Sequence, residues 1–228
     1  DTYLIPAQTD FSTDCPLPPY TIQVYKDVGS SHQFTDAIIN GLTFQFNAMQ
    51  IMKVSASIVA RVSSLSNPAT GTISYFGERV FVTDQVSIRI AGGVSGDIET
   101  LTIDMNNSIE GVQTLNDTNL YSRFHRTDFR KFRVSGSMDF ADQSEYNIFR
   151  SQAQQRFRVS MISNTTISSG YNEKIFFDMP VVRYASYEAP ISGIGRVTAE
   201  FDGQCLHDAA SGYALRVILT NGYADYES

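Results

Sequence analysis

The sequence predicts an all-β protein, an antiparallel sandwich or rolled, partly closed barrel with one short α-helix. Three observations lead there. Run after run alternates apolar and polar residues, one segment alone switches to helical spacing, and Gly, Asn or Pro punctuates several intervals.

Residues 1–30, with Pro6, Pro16, Pro18 and Pro19, read as an extended arm holding one short strand at TIQVY, 21–25. In LTFQFN, Leu42, Phe44 and Phe46 share a face opposite Thr43 and Gln45, because successive side chains of a strand alternate sides. MKVSASIVARV sets Met52, Val54, Ala56, Ile58, Ala60 and Val62 against Lys53, Ser55, Ser57 and Arg61. The polar, Gly- and Pro-punctuated stretch 63–79 reads as a long loop or hairpin tip, and a loop of that length in a compact domain is usually an interaction element. VSIRI (86–90) follows, then a flexible turn GGVSGD (92–97) and LTIDM (101–105). FRVSGSMDF sets Phe132, Val134, Met138 and Phe140 against Arg133, Ser135, Ser137 and Asp139.

ADQSEYNIFRSQAQQ (141–155) breaks the pattern. Asp142 with Glu145 three residues later resembles a capping box, and Tyr146, Phe149 and Ala153 recur at helical spacing. That predicts a helix over 143–154. Strands resume at FRVSM (157–161), KIFFDM (174–179), VTAEF (197–201) and LRVIL (215–219), about ten in all. LTIDMNN (101–107) and LRVILTN (215–221) echo one another, which divides the domain 31–228 into candidate duplicated halves near 31–122 and 123–228. The chain closes on VILTNGYADY, where Asn221-Gly222 is a strong hairpin signal that would turn Tyr223 and Tyr226 back onto the fold or a neighbour.

At 228 residues the chain suits one large all-β domain. A net charge of −7 and a pI near 4.9 argue against a dedicated nucleic-acid binder, which needs a basic face to displace counterions from phosphate. An acidic surface repels DNA and suits a passage that must not grip it. No stretch approaches the roughly 18–20 apolar residues of a membrane span, and no signal peptide is visible. Cys15 and Cys205 read as two buried free thiols, and the sequons at Asn106, Asn116 and Asn164 as chance matches.

Nothing in the sequence offers catalysis, a metal site or a cofactor. His32, His125 and His207 lack ligand spacing, and His207-Asp208 has no nucleophile turn beside it. Asp104, Asp139, Asp142 and Asp178 fit no calcium loop, and the isolated glycines at 92–93 and 193–195 make no nucleotide fingerprint. The charge anomaly is YSRFHRTDFRKFR (121–133), with Arg123, Arg126, Arg130, Lys131 and Arg133 interleaved with aromatics. It reads as a solvated strand edge, as a single-stranded nucleic-acid contact, or as a surface that meets an acidic neighbour copy. The acidic remainder of the chain favours the neighbour over the nucleic acid.

One ordered series of motifs goes further. FRKFRVSGSMDFAD (129–142), EYNIFRSQ (145–152), FRVSMIS (157–163), IFFDMPVVRY (175–184), PISGIGRVTAEFDG (190–203) and ALRVILTNGYADY (214–226) follow one another as in tail tube proteins of long phage tails. With looser agreement in the first half, the chain resembles a phage tail tube protein. The resemblance implies a β-sandwich with a flanking helix, whose copies form hexameric rings, or trimeric rings of pseudo-sixfold shape. Stacked rings would make a hollow virion tail tube, assembled in the host cytoplasm. It also implies a tape-measure protein and other tail proteins as partners, with double-stranded DNA passing through without specific binding. Asp104, Asp139, Glu200 and Asp202 become candidate lumen-facing acids. The basic run, with Tyr223 and Tyr226, becomes a candidate inter-subunit interface, and segments 1–20 and 63–79 become ring-joining elements. A carbohydrate-binding or adhesion sandwich, and the tube of a contractile tail or secretion system, are the competing expectations.

Overall fold

A computed structural model describes residues 2–5, 17–25, 29–66, 81–94, 97–115, 120–168, 170–190 and 195–221. In chain order the strands are β1 (Thr2–Ile5), β2 (Tyr20–Val24), β3 (Ser31–Asn47), β4 (Lys53–Ser66), β5 (Val86–Ile90), β6 (Gly93–Val94) and β7 (Ile98–Asn106). After them come β8 (Ile109–Val112), β9 (Arg123–Arg126), β10 (Lys131–Asp139), β11 (Gln155–Ser168), β12 (Tyr171–Glu188), β13 (Thr198–Leu206) and β14 (Leu215–Thr220). A single helix, α1 (Ser144–Ser151), lies between β10 and β11.

All pairings are antiparallel. The main path runs β2-β3-β7-β10-β13-β12-β11-β5-β6 without closing, with β4 on the other edge of β3 and β14 between β12 and β1. A separate ribbon joins β8 to β9. The path doubles over on itself, so that β3, β7, β10, β13 and the C-terminal half of β12 form one layer while β5, β11, β14 and the N-terminal half of β12 form the other. The inner faces meet where Phe44 and Phe46 set their rings edge-on to Phe177, with centroids 4.9 and 6.3 Å apart. Ile103, Val134, Phe157, Val159, Met161 and Met179 fill the interior with no exposed surface.

Each alternating run forms a strand, and the departures have local causes. β3 starts at Ser31, well before the visible alternation. Asp36 takes a left-handed φ of 51°, and an extra residue between Ile39 and Gly41 shifts the register against β4, so the period-2 phase is interrupted twice. In β12 the partners of Phe157 and Gln155 are Met179 and Val182, which leaves one residue too many on β12. Pro180 lies in that bulge, one of the few places a strand tolerates a proline. Gly136 in β10 is required by closeness rather than by φ, since a Cβ there would run into the backbone carbonyl of Thr100 on β7.

The helix differs from expectation in length and in capping. It ends at Ser151, not 154, because Gln152 turns left-handed (φ 55°) and its N–H bonds back to Ile148 and Phe149, leaving Ala153 beyond the helix. No capping box forms: Asp142 accepts from the Ser144 N–H at 2.7 Å, while Glu145 turns away to accept from Gln155 and Tyr184. Tyr146 and Phe149 pack on Tyr187 of β12, as the stripe predicted.

The predicted GGVSGD turn appears as Ala91-Gly92 between β5 and β6. Residues 63–66 of the predicted long loop belong to β4 instead, and the rest of it lies outside the described residues, as do Cys15, Gly222, Tyr223 and Tyr226. β14 has β12 on one edge and, along Leu215–Ile218, β1 on the other.

Candidate assembly surfaces

Outward positions of the first layer line up across five strands. Thr43, Asp104, Arg133, Gln204 and Arg183 stand side by side on β3, β7, β10, β13 and β12. The next level holds Gln45, Thr102, Ser135, Asp202 and Ser186, and the one after it Asn47, Thr100, Ser137, Glu200 and Glu188. Three predicted acids, Asp104, Glu200 and Asp202, therefore share one face, and Asp139 follows on the same side of β10.

Their partners differ. Arg133 clamps Asp202 with two hydrogen bonds of 2.9 and 2.5 Å. Arg196 donates to Asp139 at 2.8 Å and pairs with Glu99. Among the described residues Asp104 accepts a side-chain hydrogen bond from the Thr43 hydroxyl alone, at 2.6 Å. Glu188 and Glu200 carry no ion pair among the described residues and sit directly opposite each other in register.

The basic run is divided between β9, β10 and the segment that joins them. Arg123 and Arg126 lie in β9, with Arg126 only 8% exposed. Arg130 borders an apolar groove of about 520 Å³ between the layers, which Phe44, Phe132 and Phe177 also line. Lys131 pairs with Asp128 and Arg133 with Asp202, so both are engaged within the chain.

The second layer carries a cluster that charge spacing along the chain does not reveal. Arg89, Arg158, Asp178 and Arg216 stand abreast on β5, β11, β12 and β14. Asp178 has 0% exposure. It accepts two hydrogen bonds from Arg156 at 2.8 and 2.6 Å, one from Arg216 at 3.0 Å and one from the Tyr213 hydroxyl at 2.7 Å, with Arg158 at 3.5 Å. Burial pushes its carboxyl upward. The hydrogen bonds of Arg156 and Tyr213, with the charges of Arg156 and Arg158, outweigh burial and hold it below the ordinary value. A polar residue inside the apolar run IFFDM was the one local sign in the sequence.

β4 is the third surface. Its partner is β3 alone, and among the described residues no strand covers its other edge. The alternation is as predicted, and Met52, Ala60 and Val62 are half-buried, but the middle of the apolar side is not covered by the described residues: Val54 is 51% exposed and Ile58 42%, while Leu65, 68% exposed, lies on the opposite face. Exposed apolar edges of this kind pair readily with other chains.

His207 and Asp208 sit in the β13–β14 connection, where Asp208 accepts from the Ala210 and Ser211 N–H groups and shapes a turn rather than orienting the imidazole. Burial, with Asp202 nearby, pushes the free Cys205 thiol up to about 12. No group of three or more His, Cys, Asp or Glu suited to a metal occurs among the described residues.

A family model described as phage tail tube protein matches residues 7–205. Among solved structures, a chain from the virion of a native gene transfer agent particle is similar at 15% identity, with a TM-score of 0.40. The match covers 61% of this chain and 98% of that one. No curated protein matches.

Proposed function

The chain belongs to the phage tail tube protein family and is a structural subunit of a viral tail tube, and we propose that its first layer lines the lumen of that tube. The observation that carries this reading is the outward face of β3, β7, β10, β13 and β12. Ser, Thr, Asn and Gln alternate there with carboxylates and with Arg133 and Arg183, Arg133 being neutralised by Asp202, and Glu188 and Glu200 stand without an ion pair among the described residues, opposite each other. Like charges directly opposite one another on a sheet repel. That cost is small for groups in water, and a wall of hydrated carboxylates repels the phosphates of double-stranded DNA instead of binding them.

Copies meet side by side through β4, whose open edge and exposed Val54 and Ile58 a neighbouring subunit covers. The arm 1–30 and the segment after β4 join successive rings around the body 31–228. A tape-measure protein and then the genome occupy the lumen in turn. Negative-stain microscopy of the purified chain gives stacked rings and their symmetry, hexameric or trimeric. The lumen assignment is tested with Glu200→Cys in a Cys15→Ser background. In assembled tubes a small maleimide labels position 200 and a protein-sized maleimide does not; equal labelling by both overturns the assignment.

A further inference from the structure

Asp178 is the only carboxylate paired with Arg156, Arg158 or Arg216 among the described residues, so three guanidinium groups share one negative charge. Asp178 takes a two-pronged pair of hydrogen bonds from Arg156, yet the buried Nε atoms of Arg158 and Arg216 make no hydrogen bond among the described residues, the first standing 3.5 Å from Asp178 Oδ1 at an angle that forms none. A buried donor without a partner carries a desolvation cost that one more acceptor would remove. The next residue outward, Arg89, stands directly opposite Arg158 and has no ion pair among the described residues. Two arginines facing each other across strands repel, and among the described residues no carboxylate other than Asp178 pairs with this cluster to offset them. The guanidinium side chains of Arg156, Arg158 and Arg216 remain 37%, 35% and 31% exposed, so the site is reachable from outside.

The unmet need is therefore an oxyanion with at least two acceptor positions, seated over Arg89, Arg158 and Arg216. We propose that a carboxylate of a second copy of this chain supplies it. The face lies on the layer away from the proposed lumen, and the chain's net charge of −7 means that every further copy brings an excess of acid. Charge-assisted, two-pronged contacts of Arg with carboxylate fix orientation as well as adding attraction. The choice of a second copy rests on the tube reading; the oxyanion site itself does not.

The experiment uses the whole chain, an Arg89→Gln/Arg158→Gln double variant and Arg89→Gln alone, which alters only an exposed side chain and keeps the fold. Assembled protein is measured by sedimentation and negative stain. Thermal stability of the disassembled protein is followed against inorganic phosphate, with ionic strength held constant by sodium chloride. The expected result is a roughly tenfold loss of assembled material in the double variant and a smaller loss in the single one, a few kilocalories of interface at most. Phosphate raises Tm of the wild type by about 2–4 °C and slows its assembly, and does neither in the double variant.

Variants that assemble like the wild type overturn the proposal. If phosphate still raises their parent's Tm in that case, the site holds a free oxyanion rather than a neighbour's carboxylate. Arginine-dependent binding of a short DNA duplex would instead assign the face to nucleic-acid phosphate and equally overturn it. A wild type that forms no tubes sinks the tube reading, and an absent phosphate effect on Tm would then overturn the site by itself.

Discussion

Glu188 faces Glu200 across β12 and β13 on one outward side of the sandwich, and Arg89 faces Arg158 across β5 and β11 on the other. Both are like-charge pairs, but their surroundings differ. The glutamates are exposed and sit among hydroxyl and amide side chains, where water and salt weaken the repulsion. Arg158 adjoins a wholly buried carboxylate, and its buried Nε makes no hydrogen bond among the described residues, so water can do less for it. One face tolerates its excess charge by hydration. The other is organised by a counter-charge within the fold and has room for a second.

That contrast is most strongly disturbed at Asp178. Asp178→Asn leaves three guanidinium groups without their anion, and removing one partner from a buried ion cluster costs about 3–5 kcal/mol, read as a fall in Tm or denaturant midpoint. Adding Arg158→Gln to Asp178→Asn recovers part of the loss, because it removes one of the stranded charges. Since the folded carboxyl lies below its usual value of about 3.9, its contribution is present above that pH and disappears as pH falls through the lower, folded value. The acid limb of a stability profile should flatten in Asp178→Asn; an unchanged limb would mean the cluster does not set it.

Gly136→Ala comes next. The Thr100 carbonyl that its Cβ would meet is fixed in the β7–β10 ladder and cannot move aside, so the substitution is expected to cost about 3 kcal/mol, at the top of the overpacking range. It damages the first layer without touching either charged pair, which separates packing from electrostatics. Smaller and of opposite sign is Glu188→Gln, which relieves the glutamate pair and should stabilise the isolated chain by about 0.2–1 kcal/mol. Arg89→Gln, on the other layer, is expected to stabilise by a similar amount while assembly falls. At the bottom of the scale, Cys205 in a Cys15→Ser background should resist thiol reagents in the folded protein and react fully in denaturant.

Much of the first layer is legible in the chain because period-2 alternation is local information. Arg133, Ser135, Ser137 and Asp139 are placed on one side of β10 by counting, and the structure keeps them there. Counting cannot say which strands lie abreast. Asp104, Asp202 and Glu200 meet only through pairings between β7, β10 and β13, and the Asp178 cluster draws on β5, β11, β12, β14 and Tyr213. The run 121–133 shows the same limit: nearness in sequence puts Arg126, Arg130 and Arg133 together, while Arg126 lies buried in β9, Arg130 borders the apolar groove and Arg133 pairs with Asp202 on β10. Helix length was lost to a single residue, since nothing in Gln152 itself announces a left-handed turn.

The edge of β4 that no described strand pairs with has a consequence for timing. A free subunit carries its adhesive strand from the moment it folds, so uncontrolled association competes with orderly growth. The charge of −7 opposes early encounters between free subunits, and ions in solution shorten the reach of that repulsion to about 8–10 Å near physiological strength. Growth should therefore quicken with moderate salt and show a lag governed by subunit concentration, making the abundance of the protein the clock that decides when a tube begins.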